Sequence, residues 1–139
     1  MTTVYDVDAE ELIKKVAADL KDNIKLSRPD WALYVKTGAH RERQPDSQDW
    51  WWVRVAAVLR RVYTDGPVGV QRLRTMYGGR KHRGVKPEEF RRGSGKVLRT
   101  VLKDLDTAGF TEKFKTDGRR ITAKGREYLD EMSNSLVKK

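Results

Sequence analysis

The sequence predicts a mainly α fold: a winged helix-turn-helix core carrying an all-helical N-terminal extension and a small β-hairpin wing. Three observations predict it. Long segments place apolar residues at helical spacing. Two short runs flank Asp117-Gly118, a hairpin turn signal of type I′. From Gly66 onward the order is small strand, short helix, loop, longer helix and hairpin, which is the order of a winged helix. At roughly 100–200 residues per domain, the 139 residues make one domain, with a helical part at 1–65 and the winged helix with its C-terminal helix at 66–139. A hydrophobic content of 37% is enough for a modest core.

Asp8-Ala9-Glu10-Glu11 reads as a capping box opening the first helix. Leu12, Ile13, Val16, Ala17 and Leu20 form its core face and leave Lys14, Lys15 and Lys21 to solvent. Ser27-Arg28-Pro29-Asp30 then breaks the chain. Trp31 to Thr37 reads as a short helix with Trp31, Leu33 and Tyr34 inward, and Gly38 to Ser47 as a loop. Trp50 to Tyr63 carries only Arg54, Arg60 and Arg61 as charges, with Asp49 placed as its cap. A helix apolar over nearly its whole circumference belongs at the centre of the fold. Its three consecutive tryptophans point about 100° apart, so they cannot line one stacking surface and are expected in packing. Arg54 and Arg60 must run their stems along apolar neighbours, either as buried ion pairs or as cations delivered to an anion.

Asp65-Gly66-Pro67 ends that helix. Val68-Gly69-Val70 suits a small strand, and Gln71 to Tyr77 a short helix with Leu73 and Met76 inward and Arg72 and Arg74 outward. Gly78-Gly79 stops it, Arg80 to Pro87 reads as a loop, and Pro87 to Phe90 as one helical turn pinned by Phe90. Ser94 is a good N-cap for a helix to Ala108, stopped by Gly109. Val97, Leu98, Val101, Leu102 and Leu105 are its buried stripe; Lys96, Arg99, Thr100 and Lys103 share the opposite face. Phe110 to Lys115 and Arg119 to Ile121 form the wing. Thr122 caps a last helix through Tyr128, Leu129 and Met132, with fraying expected from Ser133 to Lys139.

Charge is distributed unevenly along these elements. The net charge is +10, yet residues 1–65 balance, with 11 basic against 11 acidic side chains. Gly66 to Lys103 carries 11 basic residues against only Glu88 and Glu89, which accounts for +9. A solvated surface mixes both signs, and a like-charged block repels itself, so a polyanion meeting this segment is the simpler account. Several function classes drop out. The chain has no cysteine and two histidines, which removes disulfides, thiol catalysis and Cys-ligated zinc and leaves little to hold a metal. No apolar run approaches the ~18 residues of a membrane span, and Met1 to Asp8 lacks the pattern of a signal peptide, which predicts a cytoplasmic protein with no membrane partner. Gly93-Ser94-Gly95-Lys96 fails as a phosphate loop because Phe90 and Val97 stand where Gly and Ser or Thr are needed. Ser94 lies in no nucleophile elbow, and His40 and His82 lack an orienting carboxylate, so no enzyme, no catalytic residue, no cofactor and no small-molecule substrate are expected.

The chain resembles the archaeal and eukaryotic small-ribosomal-subunit protein family numbered nineteen-e. The resemblance rests on Trp50 to Tyr63 with Arg54 and Arg60, on Gly66-Pro67-Val68-Gly69-Val70, on Tyr77-Gly78-Gly79-Arg80, on Arg83-Gly84-Val85-Lys86-Pro87 with Phe90, and on Gly93-Ser94-Gly95. It continues through Gly118-Arg119 and Thr122-Ala123-Lys124-Gly125-Arg126 and spans most of the chain. The sequence departs from the family pattern in the unbroken Trp50-Trp51-Trp52 and a short C-terminus. The resemblance implies a helical extension built on a winged helix. It also implies a structural protein of the small subunit head, bound to ribosomal RNA beside neighbouring small-subunit ribosomal proteins, active in subunit maturation and monomeric outside the ribosome.

The expected RNA-binding set is Arg54, Arg60, Arg72, Arg74, Tyr77, Arg80, Lys81, Arg83, Lys86, Arg91, Arg92, Lys96, Arg99, Lys103, Arg119 and Arg120. Within it, Arg99 and the wing's Arg119 and Arg120 are expected to act together as a phosphate clamp. The alternative is a winged-helix DNA-binding transcription regulator with the Ser94 to Ala108 helix in the major groove. Base edges there favour Asn, Gln and Arg, whereas this helix offers a set better suited to phosphates, and no free apolar helix is left to make a dimer.

Overall fold

The computed structural model describes residues 2–115 and 118–137. The described residues form helices α1 (Ala9–Asp22), α2 (Trp50–Asp65), α3 (Val70–Met76), α4 (Gly95–Ala108) and α5 (Ala123–Val137). Two antiparallel hairpins accompany them: β1 (Gly79–Arg83) with β2 (Lys86–Arg91) between α3 and α4, and β3 (Thr111–Phe114) with β4 (Gly118–Ile121) between α4 and α5. The mainly α expectation holds.

α2 is the pillar of the core and packs against α1, α4, α5 and β4. Trp51, Val55, Val58, Leu59 and Val62 on it are fully buried. Consecutive helical positions diverge by about 100°, and the three tryptophans accordingly have three environments. Trp51 is 0% exposed and meets Trp31 and Trp50 edge-on, each at 5.6 Å between ring centroids. Trp52 donates its indole N–H to the Leu26 carbonyl at 2.9 Å and lies between the Lys21 and Arg28 cations. Trp50 is half-buried. The triplet is packing rather than a platform.

The N-terminal half departs from the sequence reading in its caps. The Asp8 and Asp49 side chains precede α1 and α2 without bonding to the helix amides, which reach only their backbone carbonyls. Asp49 lacks the extended backbone a cap requires, at φ −90° and ψ 8°, and its carboxylate pairs with Lys21 at 2.8 Å instead. The helix expected from Trp31 to Thr37 is one 3-10 turn, Asp30–Leu33. So short a turn cannot bury all its large side chains: Trp31 packs on the core, while Leu33 and Tyr34 are exposed.

The second half departs in its basic stretch. Arg80 to Phe90 is not a loop with a helical turn but the β1–β2 hairpin, with Arg80 opposite Phe90 and Lys81 opposite Glu89. Phe90, expected as an inward pin, is half exposed, and Met76 also faces outward. Val68 makes a single bridge: its N–H and carbonyl exchange hydrogen bonds with Arg119 at 2.9 and 2.8 Å, and Val70 already belongs to α3. The bridge sets a strict demand on Gly118, at φ +106°, where a Cβ would lie 2.3 Å from the Val68 carbonyl oxygen. Asp117, the first residue of the expected turn, and residues 138–139 of the expected frayed end lie outside the described residues.

α4 follows expectation. Ser94 accepts the Val97 N–H at 3.4 Å, the five predicted apolar residues are buried, and Gly109 closes the helix in the left-handed region. Thr122 accepts the Gly125 N–H at 3.1 Å at the start of α5. That helix runs to Val137, past the Ser133 where fraying is expected. Ser133 is fully buried and its hydroxyl donates to the Leu129 carbonyl at 2.9 Å, so the last turns are held by the core.

Candidate nucleic-acid interface

The basic segment is spread over three consecutive elements, α3, the β1–β2 hairpin and α4, joined at one tight junction. Gly93 donates its N–H to the Arg74 carbonyl at 2.8 Å and bridges Gly38, while the Arg74 Nε donates back to the Gly93 carbonyl at 3.0 Å. Ser94 donates its N–H to the Thr37 carbonyl at 2.9 Å. The N-terminal loop is thereby fastened beneath the start of α4, and α3 beside it.

The sequence-predicted cations fall into two groups. Arg72, Lys86, Lys96, Arg99 and Lys103 are exposed and have no acidic partner among the described residues. Lys96 spans the Trp31 ring at 4.8 Å from its centroid, which leaves its ammonium at the rim of the N-terminal half. The others are engaged internally. Arg83 and Arg91 share Glu89 at 3.1 and 3.0 Å, Arg80 and His82 lie 3.7 Å from Glu88, and Arg120 meets Glu112 at 2.7 Å. Lys81 donates to the Ala39 carbonyl and Arg92 to the Gln71 side chain. These exposed pairs are worth only ~0–1 kcal/mol each, so a phosphate can displace them. Arg74, placed outward by the sequence, is half-buried at the Gly93 junction.

Arg119 differs. It donates to Asp106 on α4 at 2.8 Å with both side chains largely covered, which ties the β3–β4 hairpin to the helix. Arg119 is therefore not a free cation: Asp106 already receives its guanidinium.

Arg54 is the second covered cation. Its guanidinium lies over the Tyr77 ring at 4.1 Å from the centroid. Burial, and after it the nearby Arg41, lowers its pKa from the ordinary value, opposed by Tyr77. Burial likewise raises the Tyr77 phenol, with the Arg54, Arg61 and Arg60 cations pulling the other way. The Arg54 guanidinium is held by an aromatic face instead of the buried ion pair considered from sequence. Arg60 is half-buried, and its Nε has no partner among the described residues.

A family model described as ribosomal protein S19e matches residues 3–139. The chain belongs to this family. Curated relatives agree along nearly their whole length. The chain is 43% identical to "Small ribosomal subunit protein eS19" of Haloarcula marismortui, over 99% of this chain and 92% of that protein. It is 41% identical to the protein of the same name from Aeropyrum pernix, over 99% and 91%. It is 44% identical to "Small ribosomal subunit protein eS19B" of Schizosaccharomyces pombe, over 97% and 94%.

Membership in the S19e family gives the quoted motifs their physical roles. In Tyr77-Gly78-Gly79-Arg80, Tyr77 receives Arg54, and Gly78 has no room for a side chain: a Cβ there would lie 2.5 Å from the Arg91 carbonyl oxygen. The hairpin that carries Phe90 and His82 gives no strand signal in the sequence. Neither strand has a buried apolar face, so the period-two signal is missing. The available signal was Gly84, which takes the left-handed conformation at the turn between two runs of charged residues. No helix among the described residues is long and apolar enough to cross a membrane.

Proposed function

We propose that this S19e protein is a structural component of the small ribosomal subunit in the cytoplasm, bound to small-subunit ribosomal RNA through α3, the β1–β2 hairpin and the outer face of α4. On this reading it sits beside neighbouring small-subunit ribosomal proteins, supports maturation of the subunit and is monomeric outside it. The observation that carries the reading is the row Lys96, Arg99 and Lys103 on α4, exposed and without acidic partners among the described residues. Its ammonium and guanidinium groups suit phosphate oxygens, with Arg99 able to make two parallel hydrogen bonds.

Residues 66–139, from α3 to α5, read as a winged helix in which the charged face of α4 is exposed and β3–β4 is the wing. The Val68–Arg119 bridge and the Asp106–Arg119 pair support this, since they join the wing to the start of α3 and to α4. Residues 1–65 and 66–139 then form one domain, because α2 packs on both α1 and α4. A-form RNA hides its major groove from a helix, so α4 grips backbones without reading bases. The test is binding of the parent and Arg99→Ala to a panel of RNA hairpins and DNA duplexes. We expect a similar loss on every RNA hairpin; a strong preference for one DNA duplex, abolished by the substitution, would refute the reading.

A further inference from the structure

We infer that Phe90 is a stacking site for an unpaired nucleobase of RNA. The inference rests on the RNA-binding reading above and names a ligand contact within it. The chain has four tryptophans, five tyrosines and three phenylalanines. Among the described residues, all but Phe90 and Tyr34 pack their ring against another ring or a cation of the chain itself. Phe114, the aromatic of the other hairpin, is covered by Arg120 at 4.7 Å. Tyr34 lies on the N-terminal loop, outside the basic segment. Phe90 lies inside it, 50% exposed.

Its seat is built. Strand alternation and the Arg80–Phe90 register put Arg80, His82, Glu88 and Phe90 on the outer face of the hairpin, while Lys81 on the other face reaches back to the Ala39 carbonyl. Behind the ring is Gly78, where a Cβ would lie 2.9 Å from the Phe90 Cζ; bare backbone lets the ring rest there. A half-exposed ring held in this way has lost little freedom still to be paid on binding. Arg80 stands directly opposite Phe90, so a phosphate flanking a stacked base meets its guanidinium. Glu88 lies 3.7 Å from both Arg80 and His82, in a loose, exposed contact that yields to a phosphate. Aromatic side chains on sheets commonly receive unstacked bases in this way, and the contact tolerates any base. An aliphatic protein neighbour would gain nothing from the surrounding charge.

The test uses the full chain with two RNA hairpins of the same stem, one fully paired and one carrying a single bulged nucleotide. The variants are Phe90→Ala, Phe90→Leu and Phe90→Trp, with thermal melting to verify the fold. We expect the parent to prefer the bulged hairpin. Phe90→Ala and Phe90→Leu should lose on the order of tenfold on it and little on the paired one, and Phe90→Trp should retain binding. Phe90→Leu binding as well as the parent, or equal losses on both RNAs, would overturn the stacking site. So would a Phe90→Ala variant that binds both RNAs normally yet fails to join small subunits, which would assign the ring to a protein neighbour. A parent that binds neither RNA would refute the RNA-binding reading itself, a failure distinct from binding indifferent to Phe90.

Discussion

Arg119 on β4 donates to Asp106 on α4 at 2.8 Å, and the other oxygen of that carboxylate accepts the Thr111 hydroxyl of β3 at 2.6 Å. One helical side chain thus holds both strands of the β3–β4 hairpin. Hydrogen bonds to charged groups contribute about 1.5–3 kcal/mol when removed, and partial exposure places this node at the lower end. Asp106→Ala should lower the urea midpoint accordingly, and Arg119→Ala by a similar amount. Arg99→Ala, whose guanidinium has no acidic partner among the described residues, should leave the midpoint unchanged while weakening RNA binding. Equal stability losses at Arg99 and Arg119 would contradict this division.

Trp51 is fully buried and Trp50 only partly so. Truncation of a buried aromatic costs about 3–5 kcal/mol, a large share of a small domain's stability. Trp51→Ala should be poorly soluble or unfolded at moderate urea, and Trp50→Ala considerably less affected. Circular dichroism melts of the two variants check the order.

His40 packs against Gly38 and Gly79 under the hairpin, with its Nδ1 buried and without a partner among the described residues. Burial lowers its pKa, reinforced by Arg41, Arg54 and Lys36. In the unfolded chain the imidazole takes up a proton as pH falls through its ordinary value of about 6.5; in the folded chain it resists. The unfolded state therefore binds more protons, and stability present above that pH is lost as pH drops below it. Stability should fall between pH 7 and 5.5 in the parent and less steeply in His40→Phe. A parallel pH profile for the two proteins would exclude His40 as the cause.

Glu89 neutralises Arg83 and Arg91 at once. If about six side chains of the segment from Arg72 to Lys103 contact phosphates, log K should fall against log salt with a slope of roughly −4 to −5. Glu89→Gln should raise affinity at low salt and steepen the slope, whereas neutralising Arg80 and Arg83 should flatten it. A slope near zero for the parent would contradict electrostatic binding.

Where apolar periodicity was strong, as along α2 from Trp50 and along α4 from Ser94 to Gly109, the sequence sufficed to place the helices, the buried stripes and the central position of α2. The β3–β4 hairpin was legible from its flanking runs and turn signal. The β1–β2 hairpin was not, because a two-stranded ribbon with charged residues on both faces carries no hydrophobic alternation, and Pro87 within it reads against a strand. The charge block was legible, but not which cations are free. That depends on tertiary neighbours: Asp106 lies 13 residues from Arg119 in sequence, and Tyr77 reaches Arg54 across the gap between two helices.

We infer that the α4 cations without acidic partners among the described residues hold this protein on the small ribosomal subunit, and the most direct test is co-sedimentation with small subunits at physiological salt, where electrostatic contacts persist. The parent should remain with the particle, and a Lys96→Gln, Arg99→Gln, Lys103→Gln triple variant, folded by circular dichroism, should be released. A parent that does not co-sediment, or a triple variant retained as fully as the parent, would contradict the account.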